Sequence, residues 1–196
     1  MLRGVVDRFD TAVDATVAPL RGRPLLDALA AVSSALGDRG LVWFLMALAR
    51  RGRPGPRRAR ALRAVAFTGA LTPAVNQALK RAVRRARPPR PAVPPLAVRI
   101  PRSASFPSGH ALAAWCAATL LAEGDGAAPL YYAMAAAVSY SRVHVRLHHA
   151  SDVVAGSALG AGLGLVGRRL VPADGGLMRR LETAGMRRPP DGLTTS

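Results

Sequence analysis

The chain is expected to be all-α: a membrane helical bundle of about five to six helices with an amphipathic N-terminal helix. Three observations lead there. Half of its 196 residues are hydrophobic but only 5% are aromatic, so the apolar content is mainly small aliphatic side chains. Glycines and prolines, 19 and 16 of them, fall largely between apolar runs, where helices with tight connections would need them. Basic residues flank those runs, as they do on the cytoplasmic side of membrane helices.

Length is that of one domain. The formal charge of +17 would on its own fit a nucleic-acid partner, yet no nucleic-acid-binding module is recognisable and the charges alternate with apolar stretches. A membrane partner is therefore expected, and no nucleic acid. The single cysteine, Cys116, rules out an internal disulfide framework and reads as a small core hydrophobe.

Residues 1–23 form the amphipathic N-terminal segment. Leu2, Val5, Val6, Phe9, Val13, Val17 and Leu20 recur at helical spacing, with Arg3, Asp7, Arg8, Asp10 and Asp14 between them. Residues 24–172 form the membrane-embedded domain. Its first apolar stretch, 25–49, has about membrane length but is interrupted by Asp27, Asp38 and Arg39; Gly37 and Gly40 can divide it. Arg50 to Arg63, with seven arginines among Gly and Pro, reads as a loop. Helices are then expected from Ala64 to Arg84, Ser108 to Glu123, Pro129 to Val145, and Ser151 to Arg169. Gly156, Gly160 and Gly164 at fourfold spacing favour close packing of the last of these. Residues 173–196 read as a flexible basic tail.

Three polar clusters interrupt this apolar chain: Lys80 with Arg87-Pro88; Pro107-Ser108-Gly109-His110; and Ser141-Arg142 followed by His148 and Asp152. Lys80 is the one lysine among 28 basic residues, and an ammonium and a guanidinium are not interchangeable around a phosphate. With alternating helix directions, the three clusters fall on one side of the bundle. Ser108 stands where an N-cap belongs, ahead of a helix N-terminus suited to phosphate. His110 stands in the first turn, a candidate general acid and base. Asp152, four residues after His148, would lie one helical turn away on the same face and fix the imidazole tautomer, leaving a nucleophilic nitrogen. Lys80, Arg87 and Arg142 would neutralise phosphoryl oxygens. Arg81, Arg84 and Arg85 read as solvated or headgroup contacts, and His149 as an interfacial neighbour without a chemical role. His144 and His148 have zinc-helix spacing, but no third ligand is visible, so neither metal nor cofactor is expected.

These motifs resemble the type 2 phosphatidic acid phosphatase family, whose pattern Lys-x6-Arg-Pro, Pro-Ser-Gly-His and Ser-Arg-x5-His-x3-Asp is met at Lys80, Arg87 and Pro88, at Pro107 to His110, and at Ser141, Arg142, His148 and Asp152. The resemblance implies a metal-independent membrane hydrolase that releases phosphate from a lipid phosphate or polyprenyl pyrophosphate. It places a phosphohistidine on His148, His110 as proton donor, and Lys80, Arg87, Ser108, Gly109 and Arg142 around the phosphate. It also implies an active site facing the extracytoplasmic side of a bacterial cell membrane. The thirteen basic residues of Arg50–Arg63 and of the tail from Arg168 lie at the opposite end and agree with that orientation. Undecaprenyl or decaprenyl phosphates are among the candidate lipids. The alternatives are a vanadate-dependent haloperoxidase, which shares the anion-binding residues, and a non-enzymatic basic membrane-binding protein.

Overall fold

The computed structural model describes residues 2–37, 43, 45–46, 56–89 and 101–172, and every element among them is helical. Helix α1 spans Leu2–Val17 and leads through a 3₁₀ turn, Ala18–Leu20, to α2, Pro24–Gly37. Then come α3 (Pro56–Ala66), a π-helical turn (Phe67–Leu71) and α4 (Thr72–Val83). Helices α5 (Gly109–Leu121), α6 (Ala128–His144) and α7 (Ala150–Leu170) complete the order. The Asp38-Arg39 pair, most of the stretch to Arg50 and the 173–196 tail lie outside the described residues.

One boundary differs from the sequence expectation. Residues 56–63 are the start of α3 and not part of a loop. Pro56 opens the helix at a position where its missing N–H costs nothing, and Arg and Ala are strong helix formers, so the run is helical from 56 to 63. The π-turn has its own cause. Pro73 cannot donate to a carbonyl in the preceding turn, and the widened turn ahead of it absorbs that loss.

The core is built mostly from small residues. Gly156, Gly160 and Gly164 form a seam along α7 on which α5 lies. A Cβ at Gly156 would come within 2.5 Å of the Ser108 carbonyl, one at Gly160 would overlap the Leu112 carbonyl, and one at Gly164 would reach 2.6 Å from Thr119 Cβ. The glycines therefore set how near α7 approaches the start of α5, which carries Ser108 to His110. Cys116 is fully buried in the same core, beside Ala114, Ala117 and Leu120.

Polar anchors fix both ends of the bundle. At one end Arg63 pairs with Glu123 and donates to the carbonyls of Leu120 (3.2 Å) and Val171 (2.6 Å), while Arg168 donates to the Thr119 carbonyl. These arginines satisfy acceptors at the C-termini of α5 and α7 that no helix can satisfy for itself. At the other end Asp27, the charge that breaks the first apolar stretch, pairs with His144 Nε2 at 2.7 Å and accepts from the Gly22 amide at 3.0 Å. Tyr140 Oη stands 3.0 Å from His144 Nδ1, so both ring nitrogens of His144 are engaged.

Candidate active site

Four helix ends meet at this second end of the bundle. Helix α4 stops where Arg84 turns left-handed (φ 46°, ψ 36°), which sends the chain back across the bundle and brings Arg85 and Arg87 inward. The 101–108 segment follows, held by Ser105 N to the Arg85 carbonyl at 2.8 Å and by Ser108 N to the Asp152 carbonyl at 3.0 Å. Helix α6 ends at His144. The short loop after it is folded onto the Arg142 carbonyl, which accepts from Leu147 N (3.0 Å) and His148 N (3.2 Å).

His148 therefore sits in the loop before α7 and not one turn below Asp152 on a shared helix. What brings the two together is capping. His149 is the N-cap of α7, Asp152 is its third helical residue, and the two close a reciprocal capping box. Asp152 Oδ2 accepts from His149 N at 3.0 Å and lies 3.3 Å from His149 Nδ1. His149 thus has a structural task, the N-cap of α7, that the sequence reading did not assign it.

The His148 imidazole is 4% exposed and Asp152 is fully buried. Nδ1 of His148 stands 3.8 Å from Asp152 Oδ2, facing the carboxylate at more than hydrogen-bond length. Ser105 lies against both, its hydroxyl donating to Asp152 Oδ2 at 2.6 Å and standing 3.5 Å from His148 Nδ1. On the far side of the ring, Nε2 faces Arg87 Nη1 at 3.3 Å. Since the guanidinium can only donate, this arrangement keeps the lone pair on Nε2 and the proton on Nδ1. Burial, aided by the charges of Arg87 and Lys80 and opposed by Asp152, pushes the His148 pKa down to about 4. The ring should then stay neutral at pH 5.5. A ¹⁵N-histidine titration of the detergent-solubilised protein, with His148→Gln to assign the signal, checks this; a midpoint above 6 would contradict it.

Two cations, Arg87 and Lys80, act on this ring. Arg87 donates from Nη1 to the Leu147 carbonyl at 2.5 Å and from Nε to the Ser103 carbonyl at 3.1 Å. Lys80 is buried and its Nζ donates to the Ala104 carbonyl. Arg142 is buried too, with Nε and Nη2 each 3.2 Å from Ser141 Oγ, which in turn donates to the Val138 carbonyl at 2.7 Å. Ser108 is the N-cap of α5, but its hydroxyl makes no capping bond. Fully buried, Ser108 Oγ has no hydrogen-bond partner among the described residues. A buried hydroxyl in that state is costly unless a ligand completes it. Gly109 packs against Asn76, whose Nδ2 would lie 2.7 Å from a Cβ placed there. His110 occupies the first turn of α5, its Cδ2 turned toward Gly37 of α2. Among the described residues no group of three His, Cys, Asp or Glu side chains is disposed to hold a metal ion.

This arrangement can hold a tetrahedral oxyanion beside an imidazole whose unprotonated nitrogen faces the Arg87 guanidinium. Residues 61–175 match the model of the PAP2 superfamily. The chain belongs to that superfamily, and it is a phosphatase. Among curated proteins it is similar to the decaprenylphosphoryl-5-phosphoribose phosphatases of Mycobacterium tuberculosis (36% identical over 145 residues, 74% of this chain and 80% of that one) and Mycolicibacterium smegmatis (34% over 147 residues, 75% and 80%). Two solved structures share the fold. One is a transmembrane PAP2 type phosphatidylglycerolphosphate phosphatase from Bacillus subtilis (TM-score 0.64, 22% identical, 85% of this chain and 86% of that one). The other is Aquifex aeolicus LpxE (TM-score 0.65, 24% identical, 81% and 94%).

Two residues that support this candidate site went unread in the sequence, and a third was misread. Arg85 is no solvated side chain: Nη1 donates to Asp152 Oδ1 at 2.7 Å and Nη2 to Asp10 Oδ2 at 2.6 Å. Asp10 is on the inner side of α1, between the half-buried Val6 and Val13. Ser105 carried no motif signal. Asp10 did leave one, since its spacing puts a carboxylate into the stripe of Val6, Val13 and Val17, and a carboxylate there requires a partner.

Proposed function

We propose that this protein is an integral membrane phosphatase that hydrolyses a lipid-linked phosphomonoester through a phosphohistidine on His148. The observation that carries the reading is the oriented imidazole, with Nδ1 toward Asp152 and Ser105 and Nε2 toward Arg87. Nε2 attacks phosphorus in line as the bond to the lipid oxygen breaks, and His110 supplies the proton that the departing alkoxide takes. Lys80, Arg87, Arg142, Ser108 Oγ and the amides at Gly109 hold the three equatorial oxygens, and most of the rate comes from this positioning and charge. His110 then removes a proton from water, which attacks the phosphohistidine. Inorganic phosphate leaves and His148 is regenerated.

The surface supports a membrane setting. Leu25, Leu29, Val32 and Leu36 form an exposed apolar stripe along α2, with Leu25 71% exposed. Such a stripe is unfavourable in water and suited to acyl chains. Among the described residues, Ala150–Leu170 is the helix long and apolar enough to cross a bilayer, and its 21 residues span about 31 Å. Arg60, Arg63 and Arg168 gather at the end away from His148, which favours an active site facing the extracytoplasmic side.

For the substrate, the mycobacterial relatives favour a polyprenyl-phosphoryl sugar phosphate such as decaprenylphosphoryl-5-phosphoribose over a diacylglycerol phosphate. Phosphate release in detergent should be measured on that lipid, phosphatidic acid, phosphatidylglycerol phosphate and a polyprenyl pyrophosphate, with and without EDTA. The sugar phosphate should exceed phosphatidic acid by about tenfold or more in kcat/KM, a discrimination of about 1.4 kcal/mol. Chelation should change nothing. Equal turnover of all four would refute the substrate assignment, and abolition by EDTA would refute the mechanism.

A further inference from the structure

Helix α1 precedes the residues that match the superfamily, which begin at Ala61, yet one of its side chains reaches the site. Asp10 is 7% exposed. Its Oδ1 accepts from the Ser151 amide at 2.8 Å, so it satisfies one of the open donors at the start of α7. Its Oδ2 accepts from Ser151 Oγ at 2.8 Å and from Arg85 Nη2 at 2.6 Å. The other arm of Arg85 donates to Ser151 Oγ at 2.7 Å and to Asp152 Oδ1 at 2.7 Å. The guanidinium is thus held between two carboxylates, one catalytic and one not.

We propose that Asp10 and Arg85 are positioning residues for the phosphatase reaction: Asp10 holds one arm of Arg85 so that the other fixes Asp152 Oδ1 and leaves Oδ2 directed at Ser105 and His148. The N-terminal helix thereby completes the active site. The reason is geometric and electrostatic. Arg85 is anchored at both ends, so Asp152 cannot rotate about its side chain without breaking a charge-assisted bond. Burial works against the charge on Arg85, but the bonds to Asp10 and Asp152 outweigh it and raise its pKa. Without Asp10, that arm would lose its carboxylate partner. It would then be drawn to the substrate phosphate and away from Asp152.

The inference rests on the phosphohistidine reading, and the experiment separates the two. Wild type, His148→Ala, Asp10→Asn, Asp10→Glu, Arg85→Ala and the Asp10→Asn/Arg85→Ala double variant are assayed on farnesyl phosphate in detergent, with melting temperature measured alongside. The wild type should release phosphate and His148→Ala should not. Asp10→Asn should lower kcat about tenfold with KM within about twofold, because the neutral amide still fits but no longer holds the guanidinium. Asp10→Glu should recover most of that loss. The double variant should be no slower than Arg85→Ala alone, the coupling expected of residues acting in series. If Asp10→Asn does not yield folded protein, Ser151→Ala, which removes only the bridging hydroxyl, should lower kcat severalfold at unchanged KM. An unchanged kcat in Asp10→Asn, a change in KM alone, or multiplicative losses in the double variant would overturn the inference with the mechanism intact. Retained turnover in His148→Ala would overturn the mechanism and the inference with it.

Discussion

His148→Ala is expected to reduce phosphate release to assay background, a loss of at least about 10⁴-fold in kcat. Neither side chain beside it, Ser105 or His149, can replace the imidazole. Ser105 donates to Asp152, and His149 caps α7 with its ring nitrogen 3.3 Å from Asp152. What survives is a cationic cradle around a phosphate with water as the sole nucleophile, and that accounts for the small residual rate expected. The fold should tolerate the change. The loop carrying His148 is held by its own amide and that of Leu147, both donating to the Arg142 carbonyl, and these bonds do not involve the imidazole. Melting temperature and elution volume should therefore stay close to wild type while turnover disappears. Quenching the wild-type reaction in base should trap a phosphoprotein that acid hydrolyses, as a phosphorus–nitrogen bond requires, and the variant should give none. Turnover above about 1% of wild type in a folded His148→Ala protein would end the phosphohistidine reading.

Much of the architecture is legible in the sequence because each boundary has a local cause. Pro24 opens α2, and Ser108 opens α5. His149 is less obvious, a polar residue doing the work of a Ser or Asn at the start of α7. The arginine run of 50–63 misleads for the opposite reason. Charge density implies a loop, yet arginine and alanine favour helix, and Pro56 at the first position begins one. In the candidate site, motif spacing singles out Lys80, Arg87, His148 and Asp152, which the fold brings together, but not what holds them. Asp10 and Arg85 are 75 residues apart, and Ser105 and Asp152 are 47 apart. No periodicity connects such pairs. The one trace they leave is a carboxylate within an apolar stripe, at Asp10 between Val6 and Val13 and at Asp27 in the first apolar stretch. Both carboxylates turn out to be paired, with Arg85 and His144 respectively. The spacing of His148 and Asp152 carries a subtler lesson. Four residues apart implies a shared helix face, whereas the contact arises from the N-cap of α7, with His148 just outside the helix.

Asp152→Asn should lower kcat by about 10²–10⁴-fold with KM little changed. The reason lies in the donors around this carboxylate. Oδ1 accepts from Arg85 Nη1 at 2.7 Å, and Oδ2 accepts from Ser105 Oγ at 2.6 Å and from His149 N at 3.0 Å. Asparagine has the same shape but presents one oxygen and one NH₂. With its NH₂ toward Arg85, two donors face each other; with its NH₂ toward Ser105 and His149, the amide of the N-cap loses its acceptor. Neither orientation satisfies the set, and in neither does an anion remain 3.8 Å from His148 Nδ1 to fix the tautomer and stabilise the charge that develops as Nε2 attacks. A buried donor left unpaired costs about 1–3 kcal/mol, so melting temperature should fall as well. The two effects separate by measurement: kcat per folded protein reports orientation of the imidazole, and the thermal shift reports the broken cap. Ser105→Ala supplies the comparison, since it removes one donor and keeps the charge, and its kcat should fall by far less than that of Asp152→Asn. If the two variants were equally slow, the carboxylate would matter as an acceptor for Ser105 and not as the partner of His148. If Asp152→Asn stayed within tenfold of wild type, the nucleophile would not depend on this carboxylate at all.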